Sequence, residues 1–202
     1  MTLRCVVATA NPDKAAEIVA ILGSRGDVEM LERPAAVGQI DETGETLLDN
    51  ARLKALALSE ATGELSLADD TGLEVDGLAG APGVHSARFA GESASYSDNV
   101  AKLIAALDGA DEEDRRARFV TVAYASFPDG TELFASGEVA GMICPDPRGS
   151  GGFGYDAIFV PDEGDGRTFA EMSAAEKHAI SHRGRAFRSL ADRLAEIGAL
   201  EG

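Results

Sequence analysis

The sequence predicts one domain, or one domain with two lobes, built of both strands and helices. Strand-type apolar runs alternate with segments of helical spacing along the chain. The 202 residues are 45% hydrophobic and 26% charged, a globular composition rather than a disordered one. That length is ample for one buried core, and no internal repeat or low-complexity linker interrupts it.

The first strand is expected over Arg4 to Ala10, and Ile18, Val19, Ile21 and Leu22 form the apolar stripe of a helix. Between them Asn11 is a good N-cap and Pro12 fits the first helical position, where its missing N–H costs nothing. Val28 to Glu32 reads as a short strand, followed by a loop through Pro34 and Gly38. Thr46 and Asp49 have capping-box spacing and open a helix that stops at Gly63. Asn50 and Lys54, four apart, share one face of it, ordinarily a solvated polar face. A strand-type run through Ser66-Leu67-Ala68 then ends in Asp69-Asp70-Thr71-Gly72.

Gly77 to Gly91 contains four glycines and Pro82, too many for a helix, and reads as a loop ordered around a ligand. Val100, Leu103, Ile104 and Leu107 return to helical spacing, and Asp108 to Arg116 is a charged surface connection. Arg118 to Phe127 and Thr131 to Ile143 flank Pro128-Asp129-Gly130 as a β-hairpin to which no chemical role is assigned. Gly149-Ser150-Gly151-Gly152-Phe153-Gly154 matches a dinucleotide fingerprint by letter only. Pro145 and Pro147 precede it instead of a strand, and Tyr155 to Val160 after it reads as a strand instead of a helix. Ser173 and Glu176 cap a short helix, and Ser181-His182-Arg183-Gly184 leads into an amphipathic helix through Leu190, Leu194 and Ile197.

Composition narrows the function. A net charge of −17 and a pI near 4.4 argue against a nucleic-acid backbone as partner, since no basic stripe exists to displace counterions. A small phosphorylated ligand needs only a local cluster of donors. Among 18 basic residues only Lys14, Lys54, Lys102 and Lys177 are lysine, a weak sign that the compact ammonium is wanted at those places. The longest apolar runs are broken by charges and fall short of the roughly 20 residues that span a membrane. Met1-Thr2-Leu3-Arg4 runs straight into Cys5-Val6-Val7-Ala8, so no signal peptide is expected. Cys5 and Cys144 form neither a disulfide framework nor a zinc pattern, and His85, His178 and His182 are scattered. A reduced cytoplasm is the expected compartment.

Three stretches carry candidate chemistry. Asp69 and Asp70 suit a hard cation such as Mg²⁺, and a carboxylate there could also serve as a base; the same four residues equally describe a polar turn. The helix N-terminus after the first strand offers N–H groups and a positive dipole end to an anion, with Thr9, Asn11 and Lys14 adding donors; capping alone also explains Asn11-Pro12. A glycine-flanked Phe153 could stack on a flat base, with Asp156 available to its edge.

Taken together and in order, these motifs resemble the inosine triphosphate pyrophosphatases, also called dITP/XTP pyrophosphatases. The marks are Thr9-Ala10-Asn11-Pro12-Asp13-Lys14, Glu42-Thr43-Gly44 with Asn50-Ala51 and Lys54-Ala55, and Ala68-Asp69-Asp70-Thr71-Gly72-Leu73. Gly80-Ala81-Pro82-Gly83-Val84, Ser86-Ala87-Arg88, Gly151-Gly152-Phe153-Gly154-Tyr155-Asp156, Glu176-Lys177 and Ile180-Ser181-His182-Arg183 follow. The resemblance covers nearly the whole chain as a single 1–202 domain. It implies a two-lobed α/β fold around a long mixed β-sheet with flanking helices, an active-site cleft between the lobes, and a homodimer.

The resemblance further implies Mg²⁺-dependent cleavage of purine nucleoside triphosphates (ITP, dITP, XTP) to the monophosphate and pyrophosphate. Carried over, Thr9, Ala10, Asn11, Pro12, Asp13, Lys14, Lys54 and Thr71 would surround the phosphates. Glu42 and Asp70 would hold the metal, with Asp70 as catalytic base. Phe153, Gly154, Tyr155, Asp156, Lys177, His182 and Arg183 would form the base site, with Arg183 reading the 6-carbonyl edge. Departures are Ala10 where glycine is usual, Thr71 where serine is usual and Ala157 where proline is usual. Ala10 puts a Cβ near the phosphates and Thr71 adds a methyl, and neither removes a required functional group. An aspartyl phosphatase would want Asp-x-Asp-x-Thr, a spacing absent here. A pyrophosphatase for modified or pyrimidine nucleotides, and a nucleotide-binding regulatory module, remain as alternatives.

Overall fold

A computed structural model describes residues 2–25, 28–38 and 40–199. Met1, on which the reading of the N-terminus begins, and residues 200–202, at the end of the expected domain, lie outside the described residues. The chain divides into two compact units: 1–70, 121–137 and 183–202 form the first, 71–120 and 138–182 the second. Among the described residues seven strands make one open mixed sheet in the order β2-β1-β3-β5-β6-β7, with β4 on β3. Among the described residues no helix is long and apolar enough to cross a membrane.

In the first unit β1 (Leu3–Val7) runs parallel to β2 (Val28–Leu31) and to the start of β3 (Leu65–Val75), with Cys5 opposite Leu65 and Val7 opposite Leu67. Helix α1 (Pro12–Gly23) makes the crossover between β1 and β2, as parallel neighbours require. Asn11 Oδ1 accepts from the Asp13 and Lys14 amides and Pro12 sits in the first turn, as expected from the sequence. Helix α2 (Leu47–Thr62) starts on Thr46 Oγ1, which accepts from Asp49 N at 3.1 Å. It stops at Gly63, whose φ of 67° is left-handed and suits a residue without Cβ. The apolar stripes of α1 (Ile18, Leu22) and α5 (His182–Glu196; Phe187, Leu190, Leu194) close over Cys5, Val7, Leu65 and Leu67.

In the second unit the rest of β3 pairs antiparallel with β4 (Pro82–Gly83), and β7 (Phe159–Pro161) pairs antiparallel with β6 (Glu132–Ile143). The expected hairpin is β5 (Arg116–Ser126) and β6. Capping boxes at Ser95/Asp98 and Ser173/Glu176 open α3 (Tyr96–Ala106) and α4 (Ala174–Ile180). Leu73, Val75, Leu103, Phe119, Ile143, Phe159 and Phe169 form its core.

Three expectations change. The central strand does not end at the carboxylates: β3 continues through Asp69-Asp70-Thr71-Gly72 to Val75, so the polar-turn reading falls. Residues 155–160 are not one strand. Ile158 N and Phe159 N both donate to Tyr155 O in a turn, and the strand begins only at Phe159. The Gly77 to Gly91 segment is ordered by its own contacts: Ser86 Oγ accepts from Leu73 N at 2.8 Å and donates to Gly83 O at 2.6 Å, while Tyr155 Oη donates to Ser86 O.

Gly141 is required by space rather than by φ. A Cβ on Gly141 would lie 2.3 Å from Val160 O and 2.7 Å from Phe159 Cζ, across the β6–β7 ladder. Gly141→Ala must push the strands apart or move a buried ring, costing about 1–3 kcal/mol. Thermal unfolding should show the midpoint several degrees lower, and an unchanged midpoint would mean that this close approach relaxes freely.

Candidate active site

Strand geometry sets the site. Successive side chains of a strand point to opposite faces, so adjacent carboxylates in β3 cannot share one environment. Both are buried, Asp69 at 1% and Asp70 at 5% exposure. Asp69 follows Leu65 and Leu67 on the face that packs against α1 and α5, and its cations come from those helices. Arg183 Nε and Nη2 each donate to Asp69 Oδ2 at 3.2 Å, and Lys14 Nζ lies 3.4 Å from the same oxygen. Arg183 Nη1 donates to Glu17 Oε2 at 2.6 Å. Burial alone would push the Asp69 carboxyl up, but Lys14, Arg183 and Lys54 together hold it well below the usual carboxylate range.

Asp70 faces α2. Asn50 Nδ2 donates to Asp70 Oδ2 at 3.2 Å, and Lys54 Nζ lies 3.4 Å from Oδ1 and 2.6 Å from Glu42 Oε1. Here burial raises the carboxyl. Lys54 and Lys14 oppose the rise, while Glu42 and Asp69 add to it, and the result is above the ordinary value. Burial would lower the Lys54 ammonium, but Asp70, Asp69 and Glu42 outweigh it and the group is held in its charged form. Two neighbouring carboxyls are thus driven in opposite directions.

At the start of α1, Asn11 Oδ1 caps the helix and Thr9 Oγ1 accepts from Asn11 N at 3.1 Å. Ala10, Pro12 and Asp13 are exposed beside them, and Lys14 is half-buried. The capping account of Asn11-Pro12 is therefore satisfied in full, and the cation at this end is Lys14. Asn50 and Lys54, read as a solvated face, are in fact buried.

In the second unit two of the expected base residues, Phe153 and Lys177, meet at Asp156, which is 3% exposed. Its Oδ2 accepts from Phe153 N at 2.8 Å and from Lys177 Nζ at 2.6 Å. A Cβ on Gly152 would lie 2.1 Å from that oxygen, so a glycine is needed there for the carboxylate to reach the loop. The Lys177 ammonium stands 5.0 Å from the Phe153 ring centroid, within cation–π range, and Tyr96 lies against the same ring at 5.8 Å. His182 stacks on Phe119 at 4.4 Å and 16°. Thr71, next along β3 from Asp70, is half-buried.

Two placements differ from expectation. Tyr155 is 5% exposed in the apolar core with its hydroxyl on Ser86 O, where it packs. Arg183, expected at the purine edge, is fully buried with its guanidinium divided between Asp69 and Glu17; an uncompensated Asp69 in this strand would be too costly. The Asp156 carboxylate is engaged by the Phe153 amide and the Lys177 ammonium. Sequence reasoning missed Glu17 and Phe119. Glu17 had a signal, since it lies three residues from Lys14 on one helix face; Phe119, one apolar residue of a hairpin strand to which no chemical role is assigned, had none.

Among the described residues no group of three or more His, Cys, Asp or Glu side chains is placed to hold a metal ion. The Glu42–Asp70 pair, converging on one ammonium, is nonetheless an all-oxygen donor set. Mg²⁺ bound with substrate phosphates uses one or two carboxylates and keeps several waters, so this donor set fits it.

A family model described as the Ham1 family matches residues 5–193. A dITP/XTP pyrophosphatase of Streptomyces coelicolor is 45% identical over 197 residues, covering 96% of this chain and 98% of that protein. Among solved structures, a HAM1 protein from Coxiella burnetii superposes with a TM-score of 0.85 at 38% identity, over 96% of this chain and 99% of that one. The Staphylococcus aureus Ham1 protein gives 0.82 at 36% identity with the same coverage. With its motifs, its fold and nearly its whole length accounted for in this way, the chain belongs to the Ham1 family.

Proposed function

We propose that this protein hydrolyses non-standard purine nucleoside triphosphates (ITP, dITP and XTP) to the monophosphate and pyrophosphate, with Mg²⁺, and so clears them from the nucleotide pool. The observation that carries the reading is the divergence of Asp69 and Asp70. Where environments push two carboxyls apart, the raised one is suited to proton transfer and the lowered one to fixed charge. The activity named for the relatives agrees. A regulatory module that only bound nucleotide would have no use for a buried carboxyl held above its ordinary range.

In this reading Lys14, Lys54 and the N-terminal end of α1 meet the triphosphate, bringing positive charge to an acidic protein's anionic substrate. Glu42 and Asp70 would hold Mg²⁺, which when bound supplies charge for the phosphates and polarises them. Asp70 accepts a proton from the attacking water. The water oxygen bonds to the α-phosphorus, the bond to the bridging oxygen breaks, and that oxygen leaves with pyrophosphate. Asp69, locked by Lys14 and Arg183, stays ionised and keeps Lys14 in place. Phe153 offers a ring to the purine, with Lys177, steered by Asp156, as a donor for a carbonyl at position 6.

A panel of nucleoside triphosphates with Mg²⁺ should release pyrophosphate from ITP, dITP and XTP, with little activity on ATP. Orthophosphate as the first product, or undiminished turnover in excess EDTA, would overturn the reaction.

The two carboxylates should separate cleanly. Asp70→Asn should lower turnover by roughly 10²–10⁴. Because the folded-state value of Asp70 is raised, ionising it destabilises the fold, and wild-type stability is lost as pH rises through that value. In metal-free protein, then, Asp70→Asn should melt higher than wild type, with the gap widening as pH rises above the ordinary carboxylate range near ~4. Asp69→Asn should do the reverse and destabilise by about 3–5 kcal/mol, since it strands Lys14 and Arg183. Asp69→Asn melting above Asp70→Asn would reverse the assignment.

Arg183→Ala should likewise reduce stability while the ITP/ATP activity ratio is unchanged, and Lys177→Ala, which removes the donor for the 6-carbonyl, should lower that ratio. A collapse of the ratio in Arg183→Ala would return base reading to the arginine.

A further inference from the structure

Glu42 lies in a stretch without regular structure, residues 40–46, while Asp70 lies in the middle of a strand. Something must hold the two together. Asn50, 0% exposed on the first turns of α2, touches both segments. Its Oδ1 accepts from the backbone N–H of Gly44 at 2.8 Å, and its Nδ2 donates to Asp70 Oδ2 at 3.2 Å. The approach is close: a Cβ on Gly44 would lie 2.5 Å from Asp49 Cβ and 2.7 Å from Asn50 Oδ1. Gly44 is not in the left-handed region, so glycine serves here to let the loop backbone come down onto the asparagine.

We propose that Asn50 is a positioning residue for the reaction, tying the loop that carries Glu42 to the carboxylate of Asp70 so that the two act as one preset group. The inference rests on the function proposed above. Asn50 anchors Oδ2 of Asp70 through a neutral donor, and Oδ1 is left to face Lys54, which Glu42 shares. An amide suits the task because it donates and accepts at once. A carboxylate at position 50 could accept from Gly44 but would repel Asp70. A lysine could donate but not accept, and a serine is too short to span both. Glutamine keeps the chemistry but adds a methylene where none is accommodated.

Asn50→Asp retains the acceptor for Gly44 and removes the donor to Asp70; Asn50→Ala removes both. Steady-state kinetics on ITP with Mg²⁺ would be read beside thermal melting and amide hydrogen exchange at Gly44. Both variants should lose about 10–100-fold in kcat, the scale seen when partners that orient a reacting group are removed, with nucleotide KM changing far less. The Gly44 amide should exchange faster in Asn50→Ala and stay protected in Asn50→Asp. If Asn50→Ala fails to fold, Asn50→Asp alone still decides the kcat effect. Unchanged kcat in the folded variant, or a loss matched by the unfolded fraction, would overturn the proposal. So would a Gly44 amide indifferent to Asn50→Ala. Should wild type hydrolyse no nucleotide, the proposed function fails, and Gly44 exchange then decides the tether separately.

Discussion

Two carboxylates buried side by side in one strand are the constraint on which the first unit depends. A strand presents neighbours to opposite faces, so each carboxylate needs its own compensation, and no single cation can serve both at close range. On the Asp69 face the cations are Lys14 from α1 and Arg183 from α5, the helices whose apolar stripes cover Leu65 and Leu67. On the Asp70 face they are Lys54 and the neutral donor Asn50, both from α2. The placement of three helices thus follows from two residues. The apolar stripes supply most of the burial energy, while the ions fix which turn of each helix faces the strand.

The two faces differ in how completely the charge is met. Asp69 has two cations in direct contact, and a third, Lys54, adds at longer range. Asp70 shares one ammonium with Glu42 and otherwise has an amide. Breaking a buried pair leaves an uncompensated charge at a cost of about 3–5 kcal/mol, which makes the Asp69 face a structural necessity. The Asp70 face is held short of full compensation. A carboxylate left in that state destabilises the fold slightly, and under the function proposed above it would be the better proton acceptor for it, the ordinary relation between stability and activity.

Much of the fold was legible because its signals are local. The Asn11-Pro12 start of α1, the Thr46–Asp49 start and Gly63 stop of α2, and the Ser173–Glu176 box each involve residues within a few positions of one another. The path of β3 was not legible. Asp-Asp-Thr-Gly has the composition of a turn, and what keeps it extended is an arginine 114 positions away, together with a lysine from α1. Such compensation leaves no mark in the strand's own sequence. The base side shows the same limit. Phe153 and Lys177 could be named from their motifs, but Tyr155 carries the same letters inside the motif and points to Ser86 instead. Gly152 and Gly154, both in the left-handed region, flank Phe153, and Tyr155 two residues further on enters the core.

Lysine usage closes the argument from composition. Only four lysines occur in a chain of net charge −17, and three of them, Lys14, Lys54 and Lys177, sit on buried carboxylates: Asp69, Asp70 and Asp156. The exposed ion pairs of Arg52 with Glu132, Arg116 with Asp162 and Arg167 with Glu176 use arginine, whose planar fork locks onto one carboxylate. An ammonium has three donors on a flexible stem and holds no fixed geometry. It can keep one hydrogen bond to its carboxylate and turn the others toward an arriving phosphate or carbonyl oxygen. A guanidinium seated bidentate would have to break its pair to do the same. Arg183 fits this division: where a fully buried cation is held between Asp69 and Glu17 the chain uses arginine, and the cations that would meet a ligand in the proposed reaction are lysines.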